Sequence, residues 1–373
     1  MLSKKHFEVQ DILAHSFESF RLRHPLDKDQ YKAVNAILHC RTAALGGHKD
    51  ACSCGFARIS YNSCRCRCCP KCGGMKRESW IEGRLCNILN VSHFHAVFTV
   101  AEELNKLALA NKGVFYALLF KAASETVKAI AADKKFLGSL PGITAVLHTW
   151  GRSLAYHPHI HMIITGGGYS QGGWVASSKD FLLPVRAMSK MFRGLFVSLL
   201  RKAFNSGDIV FDKDEFDVSI DEAMGKKWVV YCKKPFKGTK GVFRYLGNYT
   251  HRTAITNNRL VKVTADKTTF RYKDYKDDSQ KIMTLDNEEF IRRFLMHVPP
   301  CGFTRIRQYG IYASACKKTK LAKCRVWTKT KERILKKETM QEMVLKLFKI
   351  NISACPECGR PLSSSIFPPN GHP

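Results

Sequence analysis

The residues best suited to chemistry are two histidines in the stretch AYHPHIHMIITGGG, at positions 155–168. On a strand, residues i and i+2 share one face, so His159 and His161 would project together from an apolar strand. Two imidazoles held side by side can bind one divalent metal ion. The third ligand is expected to be either His148, on the preceding predicted strand, or His157, in the connecting loop. The spacing makes His159 and His161 candidate metal ligands, although packing on a strand is the commoner explanation of such a pair, and His93 and His95 have the same spacing.

A second constellation lies in FRYLGNYTHRTAITNNRL, at positions 243–260. Tyr245 and Tyr249 are four residues apart, so on a helix they share one face. Core packing is the alternative explanation for such a pair, but this segment is rich in side chains that bind phosphate groups. We expect five of these to contact DNA: Arg244, Asn248, Arg252, Asn257 and Arg259. A tyrosine hydroxyl, with a pKa of about 10, attacks well only a target that is activated, for example by a divalent metal ion.

The third constellation consists of cysteines, of which the chain has 15. Nine of them lie between Cys40 and Cys86, and Cys69 and Cys72 have the spacing of a zinc knuckle. A disulfide framework is the alternative, and a reducing compartment would disfavour it. We predict about two structural zinc ions, with the allocation of ligands left open. The candidate ligands are Cys40, His48, Cys52, Cys54, Cys64, Cys68, Cys69 and Cys72.

Further cysteines lie at the other end of the chain. Cys355 and Cys358 form a Cys-x-x-Cys pair without an obvious second pair, and only Cys316 and Cys324 are nearby candidates. Within the N-terminal cluster, intervening basic residues such as Arg65 and Arg67 would give the predicted zinc module a positive surface for DNA.

The charge balance points to a polyanionic partner. Lys and Arg number 61 against 31 Asp and Glu, which gives a net charge of +30. Nucleic acid is the first candidate for such a charge, and selection for solubility alone is the alternative. No run of 18 apolar residues is present, and the N-terminus lacks the apolar core of a signal peptide. We therefore expect no membrane span and a cytoplasmic location, with association to the nucleoid when the protein binds DNA.

The elements that must position these residues follow from apolar periodicity. Strands are predicted at 92–100, 143–151, 159–168 and 227–236, with Pro158 in a loop between the second and third. Helices are predicted within 1–39, at 101–132, at 187–204 and at NEEFIRRFLMHV. The fold class is α+β, with an antiparallel sheet and flanking helices at its centre. Three successive domains are expected: a helical lead-in with the zinc module (1–90), a central domain with the histidines and tyrosines (91–262) and a basic C-terminal region (263–373).

A histidine–hydrophobic–histidine strand followed by a Tyr-x3-Tyr helix resembles the HUH nucleases. More narrowly, the chain resembles the rolling-circle transposases of the insertion-sequence-ninety-one family. The resemblance rests on segments in the same order, including CRTAALGGH, YNSCRCRCCPKC, LHTWGRSLAYHPHIH and YLGNYTHRTAITNNRL. It departs from the family at Cys68, where a histidine ligand is usual, and at Cys66, which replaces an asparagine.

The resemblance implies an HUH endonuclease domain that nicks single-stranded DNA at transposon ends and passes the strand to target DNA. The 5′ phosphate would become joined to a tyrosine, with Tyr245 and Tyr249 as the two nucleophiles. Mg²⁺ or Mn²⁺ would be held by His159 and His161. The spacing is also similar to the three-histidine arrangement of conjugative relaxases, which favours His148 as the third ligand.

Two other functions fit parts of the sequence. A plasmid rolling-circle initiator or relaxase would use the same chemistry, and only the DNA context would distinguish it from a transposase. A zinc-dependent DNA-binding regulator would explain the charge and the cysteines, but it would leave the histidine and tyrosine constellations without a role.

Overall fold

The computed structural model describes residues 6–72, 74–233, 241–242, 247, 253–274, 277–335 and 338–370. The described α-helices are α1 (Val9–Arg23), α2 (Lys28–Leu38), α3 (Gly74–Leu85), α4 (Asn105–Ala110), α5 (Lys112–Ala132), α6 (Val185–Asn205), α7 (Lys213–Gly225), α8 (Asn287–Met296), α9 (Ala322–Trp327) and α10 (Met340–Phe348). The described strands are β1 (Gly47–Ala51), β2 (Ala57–Tyr61), β3 (His93–Thr99), β4 (Leu140–Trp150), β5 (Tyr156–Ser170), β6 (Gly173–Ala176), β7 (Val230–Lys233), β8 (Leu260–Val263), β9 (Lys267–Lys273), β10 (Gln280–Asp286), β11 (Ile306–Gly310) and β12 (Ser363–Phe367).

The described residues form two compact units. The first draws on Met1–Trp80, His251–Val298 and Ile334–Pro373, and the second on Ile81–Thr250 and Pro299–Arg333. Each unit thus combines separate parts of the chain, whereas the three domains expected from the sequence follow one another along it. All strand pairs among the described residues are antiparallel, and helices accompany the sheets, which confirms the predicted α+β class.

The first unit contains two three-stranded sheets, with strand orders β12–β1–β2 and β10–β9–β8. Helix α2 begins at a capping box, in which Asp27 accepts a hydrogen bond from the backbone N–H of Gln30 at 2.7 Å. Helix α1 packs on α8. The buried Asn287 at the start of α8 donates to Ser16 of α1 and accepts from Thr268 of β9. These bonds satisfy a buried amide and fix the position of the helix.

The second unit is built on a six-stranded sheet with the order β11–β4–β5–β3–β7, and β6 pairs with β5 beside this path. Helices α5 and α6 bury apolar side chains, and Phe115 of α5 packs edge-on against Phe196 of α6. Phe98 of β3 contacts Phe192 of α6, so these helices cover the sheet face to which Phe98 belongs. The alternate residues of β3 and β5, which include the histidines, belong to the other face.

Two local features differ from the sequence predictions. The helix predicted over 101–132 is interrupted at Asn111, whose side-chain amide donates to the carbonyl of Val210 and accepts from its N–H. Pro158 lies within β5 and not in a loop, next to an irregularity in the pairing of β4 with β5. Proline has no N–H for the ladder, and an irregular position of this kind tolerates it.

No helix among the described residues is long and apolar enough to cross a membrane. The predicted strand at 227–236 is present as β7 (Val230–Lys233); residues 227–229 precede the strand, and 234–236 lie outside the described residues.

Candidate functional site

The three predicted histidine ligands converge on one face of the large sheet. His148 of β4 lies directly opposite His159 of β5 in the strand register, and His161 follows two residues later on the same face as His159. Each of the three offers one ring nitrogen, and the three atoms lie within 4.8 Å of one another. The antiparallel pairing of β4 and β5 is therefore what joins residues that are 11 positions apart in the sequence.

The spacing of the nitrogen atoms suits a divalent metal ion. The Nε2 atoms of His159 and His161 are 3.0 Å apart. Two nitrogen atoms bound to one ion at about 2.1 Å each would subtend roughly a right angle at that separation. Right angles between neighbouring ligands are those of octahedral coordination, the geometry that Mg²⁺ and Mn²⁺ prefer. The separation of His159 and His161 thus fits two neighbouring ligands of an octahedral ion.

Burial keeps the imidazoles of His159 and His161 neutral. Desolvation lowers the pKa of His159 to about 4, and it holds the pKa of His161 well below the usual value, with the neighbouring rings of His148 and His159 adding to the effect. A metal ion binds the lone pair of a neutral imidazole. At neutral pH these side chains are therefore in the form that binds metal.

His157, the alternative third ligand, plays a different part. It lies on β5 and is exposed, and its carbonyl oxygen accepts a hydrogen bond from Nδ1 of His159 at 2.6 Å. Because Nδ1 of His159 carries the proton, Nε2 is left with its lone pair. Its ring is not among the three donors that converge.

A fourth histidine, His95, lies beside the trio. His93 and His95 have the same i, i+2 spacing as His159 and His161, and a pair of this kind is usually explained by packing. In the structure Nε2 of His95 lies 3.0 Å from Nδ1 of His161, and the rings are nearly parallel at 12°. The spacing was visible in the sequence, but the proximity depends on β3 pairing with β5.

The predicted nucleophiles Tyr245 and Tyr249 lie outside the described residues. The same holds for three of the predicted DNA contacts, Arg244, Asn248 and Arg252. Their roles stay predictions from the sequence.

The remaining predicted DNA contacts lie in the first unit. Asn257 accepts a hydrogen bond from the N–H of Val9 at 3.2 Å, and Arg259 donates to the carbonyl of Arg271 at 2.8 Å. Arg65 and Arg67 are exposed in the cysteine-rich segment. A role for these four in DNA binding stays a prediction, and the exposed pair is the better placed to reach a partner.

Four cysteines of the N-terminal segment form a group that we call the proximal cluster. Its members are Cys40, Cys64, Cys69 and Cys72. Sγ of Cys72 lies 3.5 Å from that of Cys40 and 3.6 Å from that of Cys64. Sulfur atoms bound tetrahedrally to one zinc ion at about 2.3 Å would lie about 3.8 Å apart. The donors and their spacing therefore fit zinc with only slight adjustment.

The thiols of the proximal cluster differ in acidity because of their contacts. A hydrogen bond with Cys64 is the main cause that lowers the pKa of Cys69 to about 5, while burial raises the pKa of Cys40 to about 11. Cys69 is thus the group most ready to be a thiolate, which is the form that binds zinc.

A second group, which we call the bridging cluster, joins both ends of the chain. Its members are Cys52, Cys54, Cys355 and Cys358. Sγ of Cys52 lies 3.4 Å from that of Cys358, and Sγ of Cys54 lies 3.6 Å from that of Cys355. The C-terminal Cys-x-x-Cys pair therefore finds its partners in the N-terminal segment, and not at Cys316 or Cys324.

Two tight turns present the thiols of the bridging cluster. The N–H of Gly55 donates to the carbonyl of Cys52 at 3.0 Å, and that of Gly359 donates to the carbonyl of Cys355 at 2.9 Å. Both glycines have positive φ, 96° and 73°, which a residue with a Cβ adopts only with strain. Strand β12 then pairs with β1 along its whole length, so the two turns come to face each other.

The structure brings neither His48 nor Cys68 into these groups. His48 lies on β1, where the strand period places it beside Asp50, with its Nε2 atom 3.7 Å from a carboxylate oxygen. Cys68 lies in a turn that is closed by a hydrogen bond from the N–H of Cys69 to the carbonyl of Cys66 at 3.3 Å. Its neighbour Cys69 is the residue of this turn that belongs to the proximal cluster. Across the described residues, the two cysteine clusters and the histidine trio are the groups of three or more donors that could hold a metal ion.

Comparison with known protein families gives two matches. Residues 142–320 match a family described as "Putative transposase", and residues 12–100 match one described as "Transposase zinc-binding domain". The first match contains the histidine trio, and the second contains the proximal cluster together with Cys52 and Cys54. With the cysteine geometry, the second match supports zinc as the metal of these clusters.

Two curated relatives cover most of the chain. A protein of Sinorhizobium fredii named "Putative transposase y4qJ" is 46% identical over 331 residues, which is 85% of this chain and 83% of the relative. The "Transposase for insertion sequence element IS801" of Pseudomonas savastanoi pv. phaseolicola is 28% identical over 330 residues, which is 83% of this chain and 76% of the relative. No solved structure gives a significant match. From these matches and the zinc-ligand geometry, the chain belongs to the insertion-sequence-ninety-one family of transposases, and it is a DNA-processing enzyme.

Proposed function

We propose that this transposase nicks and rejoins single-stranded DNA at transposon ends through a covalent 5′-phosphotyrosine intermediate, as part of rolling-circle transposition. The observation that carries the proposal is the convergence of His148, His159 and His161 on one sheet face, within the part of the chain that matches a transposase family. Three imidazoles that converge in this way form a donor set for a metal ion, and a metal-assisted reaction on phosphate would use it.

The histidine trio would hold Mg²⁺ or Mn²⁺, because its three nitrogen donors converge and the His159–His161 pair has the right-angle spacing of an octahedral ion. Such an ion supplies a Lewis acid that polarises a phosphate oxygen and stabilises the charge that develops there. The protein contributes a preformed set of ligands, since the strand pairing and the bond from His159 to the backbone hold the rings in place before metal binds.

Tyr245 and Tyr249 are the proposed nucleophiles. The hydroxyl oxygen of one tyrosine attacks the scissile phosphorus, a phosphotyrosine bond forms, and the 3′ oxygen of the cleaved strand leaves with a proton. In the second step a 3′ hydroxyl attacks that phosphotyrosine, so the tyrosine is regenerated as the DNA bond forms. Each step exchanges one phosphodiester for another, and therefore no external energy source is needed. Two tyrosines allow one cleavage each at two strands.

DNA at the transposon ends and at the target site is the proposed partner. The net charge of +30 would neutralise phosphate groups and make binding depend steeply on salt. We assign phosphate contacts to Arg65 and Arg67, which are exposed, and to the basic residues that flank the tyrosines. A location in the cytoplasm, with association to the nucleoid, follows from the proposed substrate.

The test is adduct formation with the purified, zinc-loaded protein. With Mn²⁺ and a labelled single-stranded oligonucleotide from a transposon end, the wild type should yield a protein–DNA adduct that survives denaturation. His159→Ala/His161→Ala should abolish the adduct without loss of zinc. His93→Gln, a change on the same sheet that spares the trio, is the control.

Three outcomes would overturn the proposal at different levels. Absence of an adduct on every terminal strand would exclude the catalytic reading. If Tyr245→Phe and Tyr249→Phe each left both cleavages intact, the nucleophile assignment would be wrong. Loss of zinc in the histidine double variant would mean that the trio belongs to the zinc sites.

A further inference from the structure

His95 is the residue beside the histidine trio that the proposed reaction does not use. It lies on β3 with 1% of its surface exposed, and it pairs with Ile163 of β5 in the strand register. Its Nε2 atom is 3.0 Å from Nδ1 of His161, a normal hydrogen-bond distance. The ring of Tyr231 meets His95 edge-on, with 5.8 Å between ring centroids. The imidazole is therefore packed on several sides, and its nitrogen is directed at a proposed metal ligand.

The positions of the ring protons follow from the neighbours of the two ring nitrogens of His161. Its Nε2 atom lies 3.0 Å from Nε2 of His159, so Nε2 is the atom that meets the proposed metal position. With an ion bound there, Nε2 gives its lone pair to the metal, so the one proton of the neutral imidazole must be on Nδ1. Nδ1–H of His161 donates to His95, and Nε2 of His95 accepts. Hence His95 carries its own proton on Nδ1.

The two ligands of β5 are thus oriented in different ways. Nδ1 of His159 donates to the backbone carbonyl of His157, which can only accept, so the backbone fixes the tautomer of His159. His161 has a side chain as its partner, and an imidazole nitrogen can either donate or accept. The tautomer of His161 consequently depends on the identity of residue 95.

We infer that His95 is a positioning residue, which holds His161 in the Nδ1–H tautomer so that Nε2 stays available to the metal ion. The inference rests on the proposed function, since it takes the trio as the metal site. Partners of this kind fix both the ring orientation and the tautomer of a metal-binding histidine, and their loss typically lowers metal affinity by about 10–100-fold.

The experiment compares two substitutions at residue 95 with one at residue 93. His95→Leu keeps an apolar side chain of moderate size and removes the acceptor, while His95→Gln can return an acceptor near the position of Nε2. His93→Leu is the matched control, because His93 is also fully buried on β3 and bonds to the carbonyl of Val91 and the hydroxyl of Tyr312, not to the trio. Zinc content and thermal unfolding report whether each variant is folded.

Two readouts that need no DNA cleavage are measured on the zinc-loaded full chain. The first is Mn²⁺ affinity, by titration with electron paramagnetic resonance of the free ion. We expect it to weaken by about 10–100-fold in His95→Leu, to recover largely in His95→Gln, and to stay unchanged in His93→Leu. The second is the tautomer of His161 in the presence of Mg²⁺, a diamagnetic ion used in place of Mn²⁺, by ¹⁵N NMR of the ring. Wild type should show a proton on Nδ1, and His95→Leu should shift the population toward Nε2–H.

Different failures have different meanings. Folded His95→Leu that binds Mn²⁺ as well as wild type, or a wild-type His161 protonated on Nε2, overturns the inference about His95. A His95→Gln variant that is folded but no better than His95→Leu also overturns it, since a merely space-filling role would give that result. If wild type binds no Mn²⁺ while the tautomer is as expected, the proposed metal site fails and the hydrogen bond stands.

Discussion

Each of the two cysteine clusters offers four thiols to a metal ion, but the chain assembles the two clusters in different ways. The proximal cluster comes from a stretch of 33 residues, and Cys40 and Cys69 have at most 1% of their surface exposed. The bridging cluster joins residues 306 positions apart, Cys52 and Cys358, and Cys54 and Cys358 are exposed. The proximal cluster is thus local and enclosed, whereas the bridging cluster is long-range and open.

The difference in loop length has an energetic meaning. The cost of closing a flexible loop rises by about 0.6 kcal/mol for each doubling of its length. Between a separation of 32 residues, for Cys40 and Cys72, and one of 306 the extra cost is about 2 kcal/mol. The pairing of β12 with β1 can offset that cost. We therefore expect the proximal zinc to hold its own segment together, and the bridging zinc to fasten the C-terminal strand to a segment that is already folded.

The largest effect is expected for a cysteine of the proximal cluster. Cys69→Ser removes a ligand that is 1% exposed, so the zinc ion should be lost and three buried or half-buried thiols left without it. The expected destabilisation is more than about 4 kcal/mol, as for other losses of a structural metal. Zinc analysis should fall from two ions per chain to one, and thermal unfolding should begin much earlier.

Cys66→Ser is the control for that change. Cys66 is in the same segment but in neither cluster, so zinc content should stay at two. If Cys66→Ser lost zinc and Cys69→Ser kept it, the membership of the proximal cluster would be wrong.

A smaller effect is expected for the bridging cluster. Cys358→Ser should also remove one zinc ion, but it should cost only about 2 kcal/mol, because the first unit keeps its helices and its other sheet. Limited proteolysis should cut the released C-terminal segment before the N-terminal module. Cys52→Ser should give the same zinc content and the same cleavage pattern, since both cysteines bind one ion. The double variant Cys52→Ser/Cys358→Ser should lose no further zinc. Loss of a second ion would show that the two cysteines do not bind the same ion.

Cys301→Ser serves as the control for the bridging cluster. Cys301 is exposed, as Cys358 is, but it lies in neither cluster. We expect the wild-type zinc content and the wild-type proteolysis pattern. A change in either would show that exposed thiols affect the protein by another route.

The contrast also shows what the sequence could predict. Candidate ligands close together in the chain can be proposed from their spacing, as with Cys69 and Cys72 or His159 and His161. His48 was included because of its distance from Cys52, but the strand period of β1 places it beside Asp50. The partner of Cys355 could not be found from spacing, because it depends on β12 pairing with β1 across the chain.

The histidine trio shows the same distinction between local spacing and long-range strand pairing. The shared face of His159 and His161 follows from the period of a strand, whereas the contact of His95 with His161 follows from the order of strands in the sheet. The sequence thus predicted local geometry and the α+β class. It could not predict which distant elements meet, since pairing is determined by the packing of the whole unit.

Chelation should distinguish the two clusters in a single sample. A chelator reaches exposed thiols first, so the bridging zinc should leave in a fast phase and the proximal zinc in a slow one. Each phase should release one ion, measured by a colorimetric zinc indicator. In Cys358→Ser the fast phase should be missing and the slow phase unchanged. Release of both ions in one phase would contradict the difference in enclosure.

The smallest expected effect comes from a contact that fastens β12 without binding zinc. Asp50 of β1 is 4% exposed and accepts hydrogen bonds from Ser364 of β12 and from Arg58 of β2 at 2.6 Å. Burial alone would raise the pKa of Asp50, but the bonds from Ser364 and Arg58 outweigh it and the net shift is downward. Ser364→Ala removes one donor to a buried charge, which should cost about 1.5 kcal/mol.

Ser365, the next residue on β12, provides the control for this contact. Ser365→Ala changes a hydroxyl that lies 3.5 Å from the carbonyl of Lys49, so it should cost less than about 0.5 kcal/mol. Both variants should keep two zinc ions, and hydrogen exchange of the β12 amides should quicken only in Ser364→Ala. If Ser364→Ala instead lost the bridging zinc, strand pairing would be what holds that ion in place. Strand pairing would then be required for zinc binding, whereas the loop length indicates that zinc fastens the strand.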